Sequence, residues 1–284
     1  MIEVACLTIY GVAVAVLGPL PLGRFTAAGH APRLGLAAWL AAAASMLAAW
    51  SMAAVHAFVH GSASVRLVAI AVTAVAAARI GWVAAATAGQ TLARRRRHRD
   101  AVLVVATRDD DLGALVVATP QPLVYCMPAG SGLIVVTTGA RDALSPDELQ
   151  AVLAHERAHL AGRHHLLMTV AYALSRALPW LPLARLLGRQ VTALLEMCAD
   201  DHAGRLHGRQ TVAQAIAAIA AHAVPIGALG AGGLSAIARV RRLGTPTPRW
   251  RIRLAAAATA GTVTLLLVGP YLATIDPWCS RYHL

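Results

Sequence analysis

The sequence predicts an α-helical integral membrane protein that carries a folded α+β domain between its third and fourth membrane spans. Apolar residues make up 58% of the 284 residues and charged residues only 13%, whereas soluble domains contain roughly 25% charged residues. The apolar residues also cluster in four long stretches, and a transmembrane helix needs about 20 of them. This composition excludes an ordinary soluble enzyme, and its high hydrophobicity excludes an intrinsically disordered chain.

Four membrane spans are expected where the apolar stretches lie, at residues 4–22, 34–59, 67–92 and 254–275. The first is expected to be retained, because Glu3 stands where a cleaved signal peptide has basic residues. The third contains Arg79, and an Arg at mid-bilayer costs about 2.5–3.5 kcal/mol on insertion scales. One alternative is that Arg79 contacts backbone carbonyls or a water defect in the bilayer. The other is that it acts as a relay or contacts the folded domain.

The distribution of Arg predicts the side of the membrane on which each segment lies. All 25 basic residues are Arg, and 22 of them lie either in the loop after the first span or in residues 93–253. Segments rich in basic residues stay in the cytoplasm. Residues 93–253 are therefore expected to be cytoplasmic, with both termini, including the tail 276–284, outside. The net charge of +12 is then mainly a topology signal, and no direct nucleic-acid partner is expected because the Arg runs lack interleaved aromatic residues.

The folded domain is expected to begin with four short strands, which are rich in Val or Ile and bounded by Gly, Pro or Asp. They cover residues 101–106, 115–118, 123–127 and 133–138. A helix follows, because Ser145 can cap it, Pro146 suits its first turn, and Glu148 completes a capping box. This helix is expected to end before Gly162.

The capped helix carries the sequence His155-Glu156-Arg157-Ala158-His159. Two His four residues apart lie on one face of a helix, so their imidazoles can bind one ion. Glu156 then lies near the open position on that metal, where a carboxylate can take a proton from a bound water. The pattern alone is moderately specific, since a surface helix can carry it without a function.

A third metal ligand is expected on a second helix, at about residues 189–206. Glu196 follows an apolar stretch, where an acidic side chain is costly to bury without a partner such as zinc. Asp200 lies one turn further along and can accept the second N–H of a ligand His. Asp201 is the alternative for that role, and a solvated helix face is the alternative for both Glu196 and Asp200.

Other polar residues have less definite expectations. A transition-state oxyanion needs a donor besides the metal, and His202, His207 and Tyr172 are the candidates. His164 and His165 follow the motif too closely to add a ligand from the same helix face, so they are expected to be interfacial or solvated. The four Cys form no C-x-x-C pair, so neither a zinc ribbon nor a disulfide framework is indicated.

These segments resemble the membrane-embedded gluzincin metallopeptidases, which include the BlaR/MecR antibiotic-sensor class, the HtpX class and the CaaX prenyl-protease class. The likeness covers about residues 101–245 and rests on the strand-like run at 133–140, the His-Glu-x-x-His helix and the Glu196-x-x-x-Asp200 pair. The order of three spans, a protease domain and one further span is most similar to the BlaR/MecR class.

The resemblance implies a zincin (gluzincin) metalloprotease domain on the cytoplasmic face of a bacterial cell membrane. One Zn²⁺ would be held by His155, His159 and Glu196, with Glu156 as general base, and a DNA-bound repressor would be the protein substrate. Residues 276–284 do not include the penicillin-binding domain of that class, so direct β-lactam sensing is not expected. The alternatives are an HtpX-like protease for membrane-protein quality control and a catalytically silent receptor or scaffold that binds anionic lipid.

Two further expectations concern the surroundings of the site. Residues 166–187 are apolar enough for a span, but Arg and Pro interrupt them, and a single crossing would separate Glu196 from His155. A membrane-associated helical hairpin is therefore expected there. The strand at 133–138 is expected to offer an edge on which an extended substrate adds as a further strand.

Overall fold

The computed structural model describes residues 2–128, 132–223, 231–245 and 248–275. The chain divides into two compact units. The first comprises Met1–Ala88, Val170–Thr192 and Pro248–Leu284, and the second comprises Gly89–Thr169 and Ala193–Thr247.

The described elements follow one another in an order that places four strands between long helices. They are α1 (Ile2–Val16), α2 (Pro19–Ala27), α3 (Pro32–His60), α4 (Ala63–Val105), β1 (Ala106–Asp109), β2 (Ala114–Val117), β3 (Val124–Met127), β4 (Leu133–Thr137), α5 (Thr138–Ala143), α6 (Pro146–Ala161), α7 (His164–Ala177), α8 (Pro182–His207), α9 (Arg209–Ala223), α10 (Ala231–Gly244) and α11 (Arg249–Ile275).

Within the described residues, four helical segments are long and apolar enough to cross a membrane, judged by length and composition. They are α1 together with α2, then α3, α4 and the greater part of α11. The first three spans expected from the sequence lie within these segments, and the fourth, expected at 254–275, overlaps the segment Trp250–Leu272.

The first unit contains a helical core in which polar side chains find partners. Leu7 of α1 packs against Ala49 and Ala53 of α3. The hydroxyl of Tyr10 lies 2.9 Å from Oγ of Ser45 and donates to the carbonyl of Leu266 at 3.4 Å. Because lipid offers no hydrogen bonds, such pairing is what a bundle in a membrane requires.

Arg79 has two partners within the first unit. Its Nε donates to the carbonyl of Ala177 at 2.8 Å, and its guanidinium carbon lies 5.0 Å from the ring centroid of Trp180. Ala177 is the last residue of α7, so its carbonyl has no intrahelical donor. A backbone carbonyl, one of the partners expected from the sequence, therefore accepts from Arg79.

The apolar stretch at 166–187 forms parts of two helices, α7 and α8, which are separated by residues 178–181. The amide of Gly188 donates to Oγ of Ser175 at 3.2 Å, and a Cβ at Gly188 would lie 3.1 Å from the same oxygen. The two helices therefore approach closely, as a hairpin requires. Its association with a membrane stays a prediction.

The second unit contains a four-stranded sheet in the order β1-β2-β4-β3. Strands β2 and β4 are parallel, and the other pairs are antiparallel. The strand expected at 101–106 is wrong, because residues 101–105 continue α4 and β1 starts at Ala106. Val102 is buried with Leu115 and Val135, and a short apolar run with one buried face fits either a helix or a strand.

The expectation that β4 offers a free edge is also wrong. On one side Val135 pairs with Leu115 of β2, and on the other Ile134 pairs with Cys126 of β3. The amides and carbonyls of β4 are therefore used within the sheet. Among the described strands, β3 pairs with β4 alone, so its other side is an open edge of the described sheet.

Helix α6 forms as expected, with both hydrogen bonds of the capping box. The amide of Ser145 donates to Oε2 of Glu148 at 2.8 Å, and the amide of Glu148 donates back to the Ser145 hydroxyl. Leu149 and Leu153 pack against Ile134 of β4 in one buried cluster. Since these contacts fix the rotation of α6 on the sheet, they also fix the direction of its two His side chains.

Candidate metal centre

Three side chains from two helices bring their donor atoms together. Nε2 of His155 lies 3.1 Å from Nε2 of His159 and 3.5 Å from Oε2 of Glu196, and His159 Nε2 lies 3.4 Å from Glu196 Oε1. In a tetrahedral zinc site with bonds of about 2.0–2.1 Å, neighbouring ligand atoms lie about 3.3 Å apart. The three donors therefore have the separations that one zinc ion needs.

The outer nitrogens of both imidazoles are occupied, which leaves Nε2 of each ring for the metal. Nδ1 of His155 lies 3.1 Å from Oδ1 of Asp200, and Nδ1 of His159 lies 2.9 Å from Nδ1 of His164. Two imidazoles and one carboxylate match the nitrogen and oxygen ligands of zinc, whereas Ca²⁺ and Mg²⁺ take oxygen ligands. The residues present therefore fit zinc.

Asp200 is completely buried and accepts hydrogen bonds from two side chains. Arg239 donates to it from Nε at 2.8 Å and from Nη2 at 2.6 Å, besides the contact with His155. Burial alone would raise the pKa of Asp200, but the hydrogen bonds from Arg239 and His155 outweigh it and lower the pKa to about 2. Asp201 faces Arg242 instead, with both carboxylate oxygens 2.7–2.8 Å from Nη2.

Arg239 is a site residue that the sequence reasoning missed. It lies on α10, and its Nη1 is 2.9 Å from Oε2 of Glu196, so one guanidinium contacts both Glu196 and Asp200 of α8. Burial lowers its pKa, but the bonds to Asp200 outweigh burial and raise it. A buried carboxylate requires a cation. The acidic residues expected to be buried on α8 were therefore the signal in the sequence that an Arg should lie beside them. The Arg-rich segment 239–242 had been attributed to topology alone.

His164, expected to be interfacial or solvated, is half-buried and contacts the candidate ligand His159. The two rings are nearly perpendicular, with centroids 4.7 Å apart. Arg163 adopts φ +47°, the left-handed conformation typical of a turn, and α7 begins directly after it. The chain therefore reverses within one turn and brings His164 back to the end of α6.

The pKa values of the two candidate His ligands move in opposite directions. Burial lowers the pKa of His155, but hydrogen bonds to Asp200 and Glu196 outweigh it and raise the pKa to about 9. Burial and the neighbouring His155 and His164 lower the pKa of His159 to about 4. His159 is thus neutral at pH 7, the form in which imidazole binds a metal, whereas His155 must lose its proton when a metal binds.

Two cavities meet at the donors, and Glu156 lines both. The apolar cavity has a volume of about 320 Å³ and includes Val124, Val152 and Ile216. The other, here called the basic cavity, has a volume of about 460 Å³ and includes Arg95. Burial raises the pKa of Glu156, and this shift suits a group that accepts and returns a proton near neutral pH.

The described geometry does not place the oxyanion candidates at the donors. Neither His202 nor His207 lines either cavity among the described residues. His207 lies on the same helix as Glu196 but eleven residues later, about 16 Å along the axis at 1.5 Å per residue. Tyr172 belongs to the first compact unit and is 57% exposed.

Cys126 on β3 lies in the basic cavity beside Glu156. Burial raises the pKa of its thiol to about 12, and the charge of Glu156 contributes in the same direction. The raised pKa disfavours the thiolate, which is the form of Cys that binds zinc.

Comparison with known proteins adds a family likeness to this geometry. Residues 94–229, a little under half of the chain, match the model of Peptidase family M48. Over 102 residues the chain is 32% identical to "Protease HtpX" of Escherichia coli K12 and of Shigella boydii, which is 31% of this chain and 34% of theirs. Over 43 residues it is 51% identical to "Protease HtpX homolog 2" of Methanosarcina mazei, 15% of each chain.

The chain thus spans about a third or less of the length of these curated relatives. No solved structure has significant similarity to it. The matched region contains His155, His159 and Glu196, so the likeness to Peptidase family M48 includes the three candidate zinc donors. It does not bear on the BlaR/MecR resemblance, which stays a prediction.

The contact between Asp200 and His155 gives the first testable prediction. Asp200→Asn removes the charge that orients His155 and is expected to weaken zinc binding by about 10–100-fold. Asp201→Asn is the matched control, because Asp201 is the adjacent acid and contacts Arg242 instead. Competition with a chelator of known affinity measures both variants. Equal zinc affinities in the two variants would contradict the role given to Asp200.

The buried ion pair of Asp200 and Arg239 gives the second prediction. Arg239→Met leaves a buried carboxylate without its cation, and breaking such a pair costs about 3–5 kcal/mol of unfolding free energy. Adding Asp200→Asn to Arg239→Met is expected to restore part of that loss, because the uncompensated charge disappears. Denaturant unfolding in detergent measures both. Asp200→Asn alone destabilises the wild type by a certain free energy. If it destabilises the Arg239→Met variant by the same amount, the two residues are not energetically coupled.

Proposed function

We propose that this chain is a membrane-bound zinc metalloendopeptidase. The observation that carries the proposal is the set of separations among His155, His159 and Glu196, which are those of a tetrahedral zinc site. Glu156 lies beside them at the meeting point of two cavities. The similarity of residues 94–229 to Peptidase family M48 supports the same activity.

The proposed mechanism assigns the proton transfers to Glu156. Zn²⁺ held by the three donors would supply a Lewis acid and lower the pKa of a water toward ~7. Glu156 would take a proton from the attacking water, whose oxygen bonds to the carbonyl carbon before the C–N bond breaks. It would return that proton to the leaving amine, a role that its raised pKa suits. Arg239, which lines the apolar cavity, bonds Asp200 and Glu196 and so keeps the candidate ligands in place.

Strand β3 is the proposed docking edge for the substrate. Its outer side is unpaired within the sheet, and Val124 and Cys126 line the two cavities that meet at Glu156. An extended peptide that adds to this edge forms main-chain hydrogen bonds along its length. Its scissile bond would then lie beside the zinc donors.

The location proposed for the protease is a bacterial inner membrane, with residues 93–253 in the cytoplasm and both termini outside. The four apolar helical segments support membrane insertion. The Arg distribution supports the orientation, since 22 of 25 Arg lie on the side proposed to be cytoplasmic.

Two classes of protein substrate follow from the resemblances. Relatives named Protease HtpX support a role in membrane-protein quality control. The order of three apolar segments before the M48-like region and one after it supports the BlaR/MecR-like alternative, regulated cleavage of a DNA-binding repressor.

The general base gives the third prediction. Glu156→Gln keeps the shape of the side chain but cannot accept the proton, so peptide hydrolysis by the purified full chain is expected to fall by about 10²–10⁴-fold. Zinc content is expected to be unchanged, because Glu156 is not among the three donors. Fluorogenic peptides and metal analysis measure the two quantities. Undiminished hydrolysis would contradict the assignment.

The same variant distinguishes the substrate classes in cells. New protein N-termini are compared between cells that carry the wild type and cells that carry Glu156→Gln. Many missing cuts in membrane proteins support quality control, whereas one missing cut in a small DNA-binding protein supports regulated proteolysis. No difference between cells, with zinc retained, favours the silent receptor or scaffold.

The orientation gives the fourth prediction. In a chain whose native Cys are replaced by Ser, Ser62→Cys lies in the loop expected outside and Ser145→Cys in the domain expected inside, and both positions are exposed. A membrane-impermeant maleimide is expected to label Ser62→Cys in intact cells and Ser145→Cys only after permeabilisation. Labelling of Ser145→Cys in intact cells would reverse the orientation.

A further inference from the structure

The basic cavity has one wall formed by the zinc donors and another formed by cationic or ionisable side chains. Arg94, Arg95, His98 and His165 line it together with Tyr125 of β3. All of these residues belong to the second compact unit. The proposed active site therefore has an apolar cavity on one side and a basic cavity on the other.

The helical period of α4 explains why part of its Arg run faces this cavity. Arg95, His98 and Val102 are spaced i, i+3 and i+7, which places them on one face. Val102 is buried against the sheet, and Nε2 of His98 lies 2.9 Å from the hydroxyl of Tyr125. These two contacts fix the Arg95 face beside β3, whereas Arg97 is exposed and does not line the cavity.

The charges on this wall have no carboxylate partner among the described residues. Neither Arg94 nor Arg95 forms an ion pair there, although Arg95 is half-buried and burial lowers its pKa. Arg nonetheless stays protonated in proteins. Nδ1 of His165 is buried without a hydrogen-bond partner, and burial and the charges of Arg95 and Arg163 lower the pKa of this His.

The acidic groups that line the cavity do not neutralise the positive charge of this wall. Glu196 contacts Arg239 and both candidate His ligands, and its charge and that of Glu156 would be balanced by Zn²⁺. A partly buried guanidinium without a counter-ion, as at Arg95, is unfavourable. An anionic group that enters the cavity removes this cost through charge-assisted hydrogen bonds.

We infer that the basic cavity binds an acidic side chain of the substrate, so that the protease prefers peptides with Asp or Glu close to one side of the cut. This inference rests on the proposed function. Tyr125, Met127 and Pro128 line the basic cavity, and Val124 lines the apolar one. A peptide that lies along β3 therefore passes Arg95 on one side of the zinc donors and apolar side chains on the other.

The test compares two quenched fluorescent peptides, each with an apolar residue that has three variable positions before it and three after it. One peptide has Glu at all of these positions and the other has Gln, and the rest of their sequences are identical. The zinc-loaded full chain is assayed in nanodiscs of phosphatidylcholine. The expected kcat/KM is about tenfold higher for the Glu peptide, and the preference falls as salt rises.

Variants of the Arg run assign the preference to the basic cavity. Arg95→Gln is expected to bring the ratio of the two kcat/KM values close to one, while Arg95→Lys keeps part of the preference. Arg97→Gln is the matched control, because Arg97 lies in the same run outside the cavity. A second readout uses the zinc-loaded Glu156→Gln chain, to which the Glu peptide is expected to bind more tightly than the Gln peptide in fluorescence anisotropy.

The outcomes separate failure of the inference from failure of the proposed function. Equal cleavage of the two peptides by the wild type overturns the inference and leaves the protease activity in place. Cleavage of neither peptide by the zinc-loaded chain overturns the proposed function and the inference with it. If Arg95→Gln slows both peptides equally and only in nanodiscs with phosphatidylglycerol, the cavity serves an anionic lipid and the inference is wrong.

Discussion

The charge of Asp200 is completely buried, and the arrangement of the candidate metal centre depends on how the chain balances it. Arg239 donates two hydrogen bonds to this carboxylate, and His155 adds a contact through Nδ1. Because Nδ1 of His155 is engaged, its Nε2 faces His159 and Glu196. One buried ion pair thus sets the direction of a ligand ring and connects α8 with α10.

The sheet and α6 supply the rest of the rigidity that the centre needs. Leu149 and Leu153 fix α6 against β4, and His164 supports His159 from the start of α7. Strand β3 lies beside the donors with its outer side open. The same packing that orients the donors therefore leaves an edge for an extended peptide.

The sequence predicts the parts of the site that depend on spacing within one helix. His155 and His159, and then Glu196 and Asp200, are four residues apart, and helical geometry alone places each pair on one face. The same spacing favours Asp200 over Asp201, and Asp200 is the acid whose Oδ1 lies 3.1 Å from Nδ1 of His155. Arg239 and His164 were missed because a long-range contact and a tight turn, rather than a local pattern, bring them to the centre.

The errors in the fold have the same origin. Residues 101–105 form an apolar run that is short enough for a strand. They continue α4 instead, because Val102 is buried on one face of that helix. The order β1-β2-β4-β3 cannot be derived from strand positions, so β4 was expected at an edge that β3 occupies. The Arg run after the third predicted span was interpreted only as a topology signal, although the helical period turns Arg95 toward the donors.

The central claim is that His155, His159 and Glu196 hold one zinc ion. X-ray absorption spectroscopy at the zinc edge, on the purified full chain, tests it most directly. The account predicts one zinc per chain, with nitrogen and oxygen ligands at about 2.0–2.1 Å and no sulfur. A sulfur ligand at about 2.3 Å, or far less than one zinc per chain after zinc loading, would contradict it.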